Sequence, residues 1–195
     1  TPLPELGLYV HVPWCIRKCP YCDFNSHGLQ PDQKVPETDY LKALIADLQN
    51  ELPQIQGRRI SSIFFGGGTP SLLSTSAVEQ ILSAFHQHLE ITADCEITLE
   101  ANPGALSPEK ALGFRQAGIN RISIGAQSFS QQKLEVLGRI HSPTETHQAS
   151  RAVRNANYRS HNLDLMYALP QQTPSEALND LQQALLLAPP HLSLY

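Results

Sequence analysis

Leu8-Tyr9-Val10-His11-Val12-Pro13-Trp14-Cys15-Ile16-Arg17-Lys18-Cys19-Pro20-Tyr21-Cys22 joins a strand-like alternation to three crowded cysteines. Leu8, Val10 and Val12 alternate with Tyr9 and His11, the period of a half-buried strand. The cysteines follow in a C-x3-C-x2-C spacing. Three thiolates so spaced suit one face of an iron–sulfur cube, which normally takes four. One iron then lacks a protein ligand, and a small molecule can bind and react there. The same residues admit other readings: a structural zinc with His11 or His27 as fourth ligand, redox thiols, or packing residues. Zinc sites more often combine two C-x2-C pairs, or Cys pairs with His pairs, and neither occurs here.

Working outward, strand-like and helix-like patterns alternate along the chain. The expected strands are Gly7–Val12, Ser62–Gly66, Glu96–Asn102, Arg121–Gln127, Asn162–Leu169 and His191–Tyr195. Helical periodicity runs over Thr38–Leu52 and Ser76–Leu89, and again over Ala111–Ala117 with Gly118 as its stop. Gln131–Asn155 reads as two short helices broken near Gly138. Ser76 with Glu79, Ser142 with Glu145, and Thr173 with Glu176 match capping boxes. Pro143 and Pro174 fall at the first helical position, and Ser107-Pro108 marks another start. Strand–helix–strand repetition predicts a parallel sheet with helices outside it. Six strands predict an α/β fold, a partial (β/α)6 barrel that stops at its sixth strand.

The strands are not apolar on both faces, as a fully covered parallel sheet would be. Ile97, Leu99 and Ala101 alternate with Thr98, Glu100 and Asn102. Ile122, Ile124 and Ala126 alternate with Ser123, Gly125 and Gln127. Leu163, Leu165 and Tyr167 alternate with Asp164, Met166 and Ala168, and Leu192 and Leu194 with His191, Ser193 and Tyr195. The apolar set must face the helices, so Glu100, Gln127 and Asp164 face a lumen. Each unsatisfied polar group buried there costs roughly 1–3 kcal/mol, and a charge costs more. The lumen is therefore read as wet or as holding a polar ligand. The competing reading, an antiparallel sheet with one solvated face, lacks hairpin turns between these strands.

Composition bounds the function. With 195 residues and 41% hydrophobic content, the chain can build a substantial core, and residues 1–195 read as one domain. A formal charge of −4 and a pI of about 6.0, without a basic stripe, argue against a nucleic-acid partner. Ala184-Leu185-Leu186-Leu187-Ala188 is the densest apolar run, far short of a membrane span. Thr1-Pro2-Leu3-Pro4-Glu5 lacks a leader pattern. Three crowded cysteines among four fit a reducing compartment better than a disulfide framework, and Cys95 reads as packing. Gly66-Gly67-Gly68-Thr69-Pro70 follows the second strand, where its backbone can approach a ligand closely or simply turn. It lies at the same end as the cysteines, the end where barrels of this kind build their sites.

Cys15-x3-Cys19-x2-Cys22, with Tyr21 before the last cysteine, resembles the signature of the radical S-adenosylmethionine (SAM) superfamily. Gly66–Pro70 resembles its motif for the methionine amine. Tyr9–Cys15, Glu100–Gly104, Gly125–Phe129, Leu137–His141 and Asp164–Pro170 are similar to one branch: the oxygen-independent coproporphyrinogen III oxidases and their relatives, the radical-SAM haem chaperones. The resemblance implies a [4Fe–4S] cluster on Cys15, Cys19 and Cys22, with SAM chelating the fourth iron. It implies that Tyr21 lies against the adenine and that Gly67, Gly68 and Thr69 contact the methionine end. Glu100 and Gln127 would bind the ribose, Asp164 would reach the sugar, and Arg139 would pair with the SAM carboxylate. Tyr9 is a further pocket candidate. In the superfamily, one electron from the cluster cleaves SAM to methionine and a hydrogen-abstracting 5′-deoxyadenosyl radical.

The oxidases resemble a pattern with a further cysteine two residues after the third; here Phe24 stands there, and Asp23-Phe24-Asn25-Ser26 resembles the chaperones. The implied function is a cytoplasmic haem chaperone, with the oxidase as alternative and a non-enzymatic metal-binding module as the reading from another class. Implied partners are haem or a porphyrinogen, haem-accepting proteins and an electron donor, with membrane association only through those partners. Members of the branch continue into a C-terminal domain, so the chain reads as an N-terminal core from which that part is absent.

Overall fold

The computed structural model describes residues 3–195; Thr1 and Pro2, part of the opening stretch read for a leader, lie outside the described residues. Six strands form one sheet: β1 Leu6–Val12, β4 Ile60–Gly67, β5 Ile91–Ala101, β6 Arg121–Gln127, β7 Ser160–Leu165 and β8 His191–Leu194. Every neighbouring pair is parallel, in the order β1-β4-β5-β6-β7-β8. Two short strands, β2 Trp14–Cys15 and β3 His27–Gly28, pair separately in parallel. Helices fill each crossover: α1 Glu37–Ile55, α2 Thr75–His88, α3 Pro108–Ala117, α4 Gln131–Val136 with α5 Pro143–Asn155, and α6 Pro174–Leu186. This is the expected partial barrel. Among the described residues, no helix is long and apolar enough to cross a membrane.

The apolar strand faces meet the helices as the alternation requires. Val10, Val12, Ile63, Phe65, Leu99, Ile122, Ile124 and Leu163 are all buried, together with Val78, Ile81, Phe85, Phe114 and Val153 from the helices. Each such side chain contributes about 1.5–3 kcal/mol of burial. Cys95 belongs to this core, so its reading as packing holds.

Several boundaries differ from expectation. Helix α2 is capped by Ser74, whose hydroxyl accepts from the Ala77 N–H, and the Ser76–Glu79 box does not form. The carboxylate of Glu37 in α1 accepts from both the N–H and the hydroxyl of Ser74, and this tertiary contact favours the earlier serine. The boxes at Ser142–Glu145 and Thr173–Glu176 form as read, and Gly118 closes α3 in the left-handed region. Strand β5 starts five residues earlier than Glu96, paired to β4 through a register shift. Strand β7 ends at Leu165. Beyond it Tyr167 is exposed rather than turned to the helices, and Ala168 takes φ 55°. Helix α1 runs past Leu52 and carries Pro53 inside its last turn.

Loops at the C-terminal ends of the strands are fixed from behind by single charged side chains. Asp180 of α6 is 3% exposed and accepts from Ser128 Oγ and Phe129 N, both at 2.7 Å, just past the end of β6. Lys133 of α4 donates to the carbonyls of Gln171 (2.9 Å) and Pro170 (3.2 Å) beyond β7. Lys110 of α3 donates to Ser71 O at 2.6 Å, beyond the glycine run. Replacing Asp180 by Ala leaves the buried Ser128 hydroxyl and the part-buried Phe129 N–H without their acceptor. Urea denaturation of Asp180→Ala is expected to show a loss of about 2–4 kcal/mol, with Asp180→Asn losing less.

Candidate functional site

Strand β1 delivers the chain to Pro13, and the β2–β3 pair clasps both ends of the cysteine loop. His27 N donates to Pro13 O and Leu29 N to Cys15 O, at 2.7 and 2.8 Å. Between them the chain turns once tightly, with Cys22 N donating to Cys19 O. All four cysteines are free, and Cys15, Cys19 and Cys22 line one cavity of about 440 Å³.

The glycine run lies directly against this loop. Gly68 N donates to Val12 O and Thr69 N to Trp14 O, each at 2.7 Å. A Cβ at Gly68 would stand 2.6 Å from Trp14 O, a backbone atom that cannot yield. Gly67 has φ 114°, and a Cβ there would strike the His11 imidazole. Both positions therefore require glycine. Gly67, Gly68, Thr69 and Pro70 all line the cavity.

Polar groups expected in the lumen arrive from three strands. Glu100, Gln127 and Asp164 line the same cavity. Burial pushes the Glu100 carboxyl up to about 7, with the Asp164 charge adding to it and the Gly67 backbone N–H opposing it. Burial also raises Asp164, against hydrogen bonds from Ser123 and Asn162. Gln127 closes β6 at φ 65°, where the β6–β7 register shifts. A non-glycine residue held in that region reflects constraint by its surroundings.

Arg139 enters from the turn after α4. Its Nη2 donates to Gly125 O at 3.0 Å, its Nη1 lies 3.8 Å from Cys19 Sγ, and its Nε is buried without a partner. Gly138, at φ 70°, lets that turn pack on the Pro20 ring; a Cβ there would lie 2.7 Å from Pro20 Cδ. Tyr21 lines the cavity beside Arg139 and Cys19, its phenol pushed up to about 12 mainly by burial.

Tyr9, the further pocket candidate, is not among the residues that border this cavity. It lies on the lumen side, stacked on Phe64, with its hydroxyl 3.0 Å from His11 Nδ1. His11 is not free to act as a fourth metal ligand, because its Nε2 is 2.7 Å from Asn25 O. Nε2–H must donate to that carbonyl, so Nδ1 accepts from Tyr9. His27 is exposed in β3, and among the described residues no three His, Cys, Asp or Glu side chains gather as a single ion's ligand set. Lining residues not singled out as site candidates include Asn102, Ser123, Ile140 and Met166. Ser123 and Met166 stood in the polar alternation, which was the available signal. His141, with Nε2 3.1 Å from Ala126 O, gave none beyond its neighbourhood to Arg139.

The donor set fits an iron–sulfur cluster with a small polar ligand beside it. Three thiols border one cavity, a glycine cradle allows close backbone approach, and the orphaned Arg139 Nε–H awaits an acceptor. Carboxylates and an amide at the far side suit hydroxyl donors.

Comparison with known proteins agrees. The family model described as the Radical SAM superfamily matches residues 9–184. The chain is 52% identical over 193 residues to the "Heme chaperone HemW" of Escherichia coli (strain K12), covering 99% of this chain and 50% of that protein. It is 39% identical over 189 residues to "Radical S-adenosyl methionine domain-containing protein 1, mitochondrial" of Bos taurus, covering 97% of this chain and 42% of that protein. Among solved structures, "Coproporphyrinogen III oxidase (HemN) from Escherichia coli is a Radical SAM enzyme" superposes with a TM-score of 0.88 at 29% identity, covering 97% of this chain and 43% of that chain. The chain thus spans about half the length of the curated relatives it matches. With these matches running nearly end to end, and with the three thiols and the glycine cradle on one cavity, the chain belongs to the radical SAM superfamily.

Proposed function

We propose that residues 1–195 are the core domain of a cytoplasmic radical-SAM haem chaperone, which binds a [4Fe–4S] cluster and SAM and passes haem to haem proteins. The observation that carries this reading is the convergence of Cys15, Cys19 and Cys22 with Gly67, Gly68, Thr69, Glu100, Gln127, Arg139 and Asp164 on one cavity. The 52% identity to a heme chaperone supports the choice within the superfamily. Phe24 supports it as well. It stands where the oxidase pattern has a fourth cysteine, and it is 66% exposed at the cavity mouth.

In this reading the three thiolates hold the cluster, and Arg139, already fixed by Gly125 O, offers its other N–H groups to the ligand carboxylate. The glycine backbone receives the methionine end. Tyr21 flanks the adenine, and Glu100, Gln127 and Asp164 accept from the ribose hydroxyls. When bound and supplied with one electron by a donor protein, the cluster and SAM provide the superfamily's reductive cleavage chemistry. The second reading, a coproporphyrinogen III oxidase, is favoured by the 0.88 superposition on that enzyme. The full-length protein separates the two. A chaperone shifts the haem absorbance on titration and leaves coproporphyrinogen III unchanged in the presence of SAM and reductant. Appearance of protoporphyrinogen IX instead establishes the oxidase.

Cys19→Ala is expected to lose the cluster absorbance after anaerobic reconstitution, and with it SAM binding, while Cys95→Ala retains both. Retained absorbance in Cys19→Ala contradicts the ligand assignment. Glu100 gives a pH prediction. Its folded pKa of about 7 exceeds the unfolded value near 4.5, so the folded state holds the extra proton between these values. Stability therefore falls as pH rises through that window. Ligand-free Glu100→Gln should match the parent at pH 4 and exceed it by about 2–3 kcal/mol at pH 8 in urea denaturation, yet bind SAM more weakly.

A further inference from the structure

Beneath Asp164, three strands are tied by side chains that take no part in the site described above, apart from Ser123 at its edge. Ser193 Oγ on β8 donates to Asn162 Oδ1 at 3.1 Å. Asn162 Nδ2 donates twice, to Ser123 Oγ on β6 at 2.9 Å and to Asp164 Oδ1 at 2.8 Å. Ser123 Oγ in turn donates to Asp164 Oδ2 at 3.0 Å. The sheet register brings these groups together, pairing Ser123 with Asn162 and Asp164 with Ser193. Asn162 is 2% exposed, and its amide orientation is forced. A flipped amide would set its carbonyl oxygen against the Asp164 carboxylate, acceptor to acceptor.

The arrangement has a consequence for recognition. The last torsion of an aspartate is broad and selects no plane for the carboxylate. Here each carboxylate oxygen receives one donor from the floor, so the plane is set from below. One lone pair on each oxygen then remains for the cavity that Asp164 lines. Two adjacent acceptors presented this way match two adjacent hydroxyls.

We infer that Asn162 is a positioning residue: with Ser123, it orients the Asp164 carboxylate so that it accepts from a vicinal diol, and Ser193 anchors the relay to the last strand. The inference rests on the reading of the cavity as an adenosyl-ligand site and deepens it. Asn162 acts on the ligand only through Asp164.

The test uses full-length, cluster-reconstituted protein, titrated anaerobically by calorimetry with S-adenosylhomocysteine and with its 2′,3′-dideoxy analogue. Asn162→Leu is expected to weaken S-adenosylhomocysteine about tenfold, the size of one lost hydrogen bond to a charged group, while the dideoxy analogue changes less than twofold. Ser123→Ala should shrink the ratio of the two affinities in the same direction, and Ser123→Thr, which keeps the hydroxyl, should restore it. An equal loss for both ligands, or an unchanged ratio, overturns the inference. If Asn162→Leu fails to fold, the two Ser123 variants decide alone, and an unchanged ratio in Ser123→Ala overturns it. Parent protein that binds both ligands equally removes the sugar contact and the inference with it. Parent protein that binds neither refutes the adenosyl reading itself.

Discussion

Two backbone hydrogen bonds, from Gly68 N to Val12 O and from Thr69 N to Trp14 O, join the cysteine loop to the glycine loop. The rest of the site depends on this seam. It brings the thiols and the glycine cradle to one wall of the cavity, and it leaves no room for a side chain at Gly68. A hydrogen bond of this kind has a modest net worth, about 1 kcal/mol. Its importance lies in geometry. It converts two loops, each free to wander alone, into a single rim with one register.

The opposite wall is held differently. There the strand ends carry polar side chains, and the loops beyond them are secured by charged groups reaching up from the outer helices. Asp180 fixes Ser128 and Phe129, and Lys133 fixes Pro170 and Gln171. His141 adds a bond to Ala126 O, the residue before the left-handed Gln127. Burial pushes the His141 imidazole down to about 4, so it stays neutral and keeps one ring nitrogen as an acceptor. The residues that would touch a ligand are few, and the residues that hold them lie one layer out.

Much of the lumen was legible from alternation, because a half-polar parallel strand must turn its polar face somewhere. Glu100, Gln127 and Asp164 fell on that face and reached the cavity. Tyr9 fell on the same face and stacks on Phe64 with its hydroxyl toward His11, contacts that alternation alone does not give. Strand ends were less legible. Met166–Leu169 continues the apolar pattern of β7, yet the last backbone bond to the neighbouring strand comes from Tyr167 N and Ala168 turns left-handed. The cap at Ser74 depended on Glu37, which is distant in sequence. Asp180 and Lys133 gave no signal, because a charge within an amphipathic helix reads as solvated until the packing is known.

The cysteine loop is clasped at its two ends by a strand pair only two residues long, and most of its middle is exposed. Neither the sheet nor the helical layer draws on Cys19 or Cys22 for its packing. The packing of the barrel is therefore independent of the side chains at the tip of this loop, which can change partner without disturbing the layer behind it.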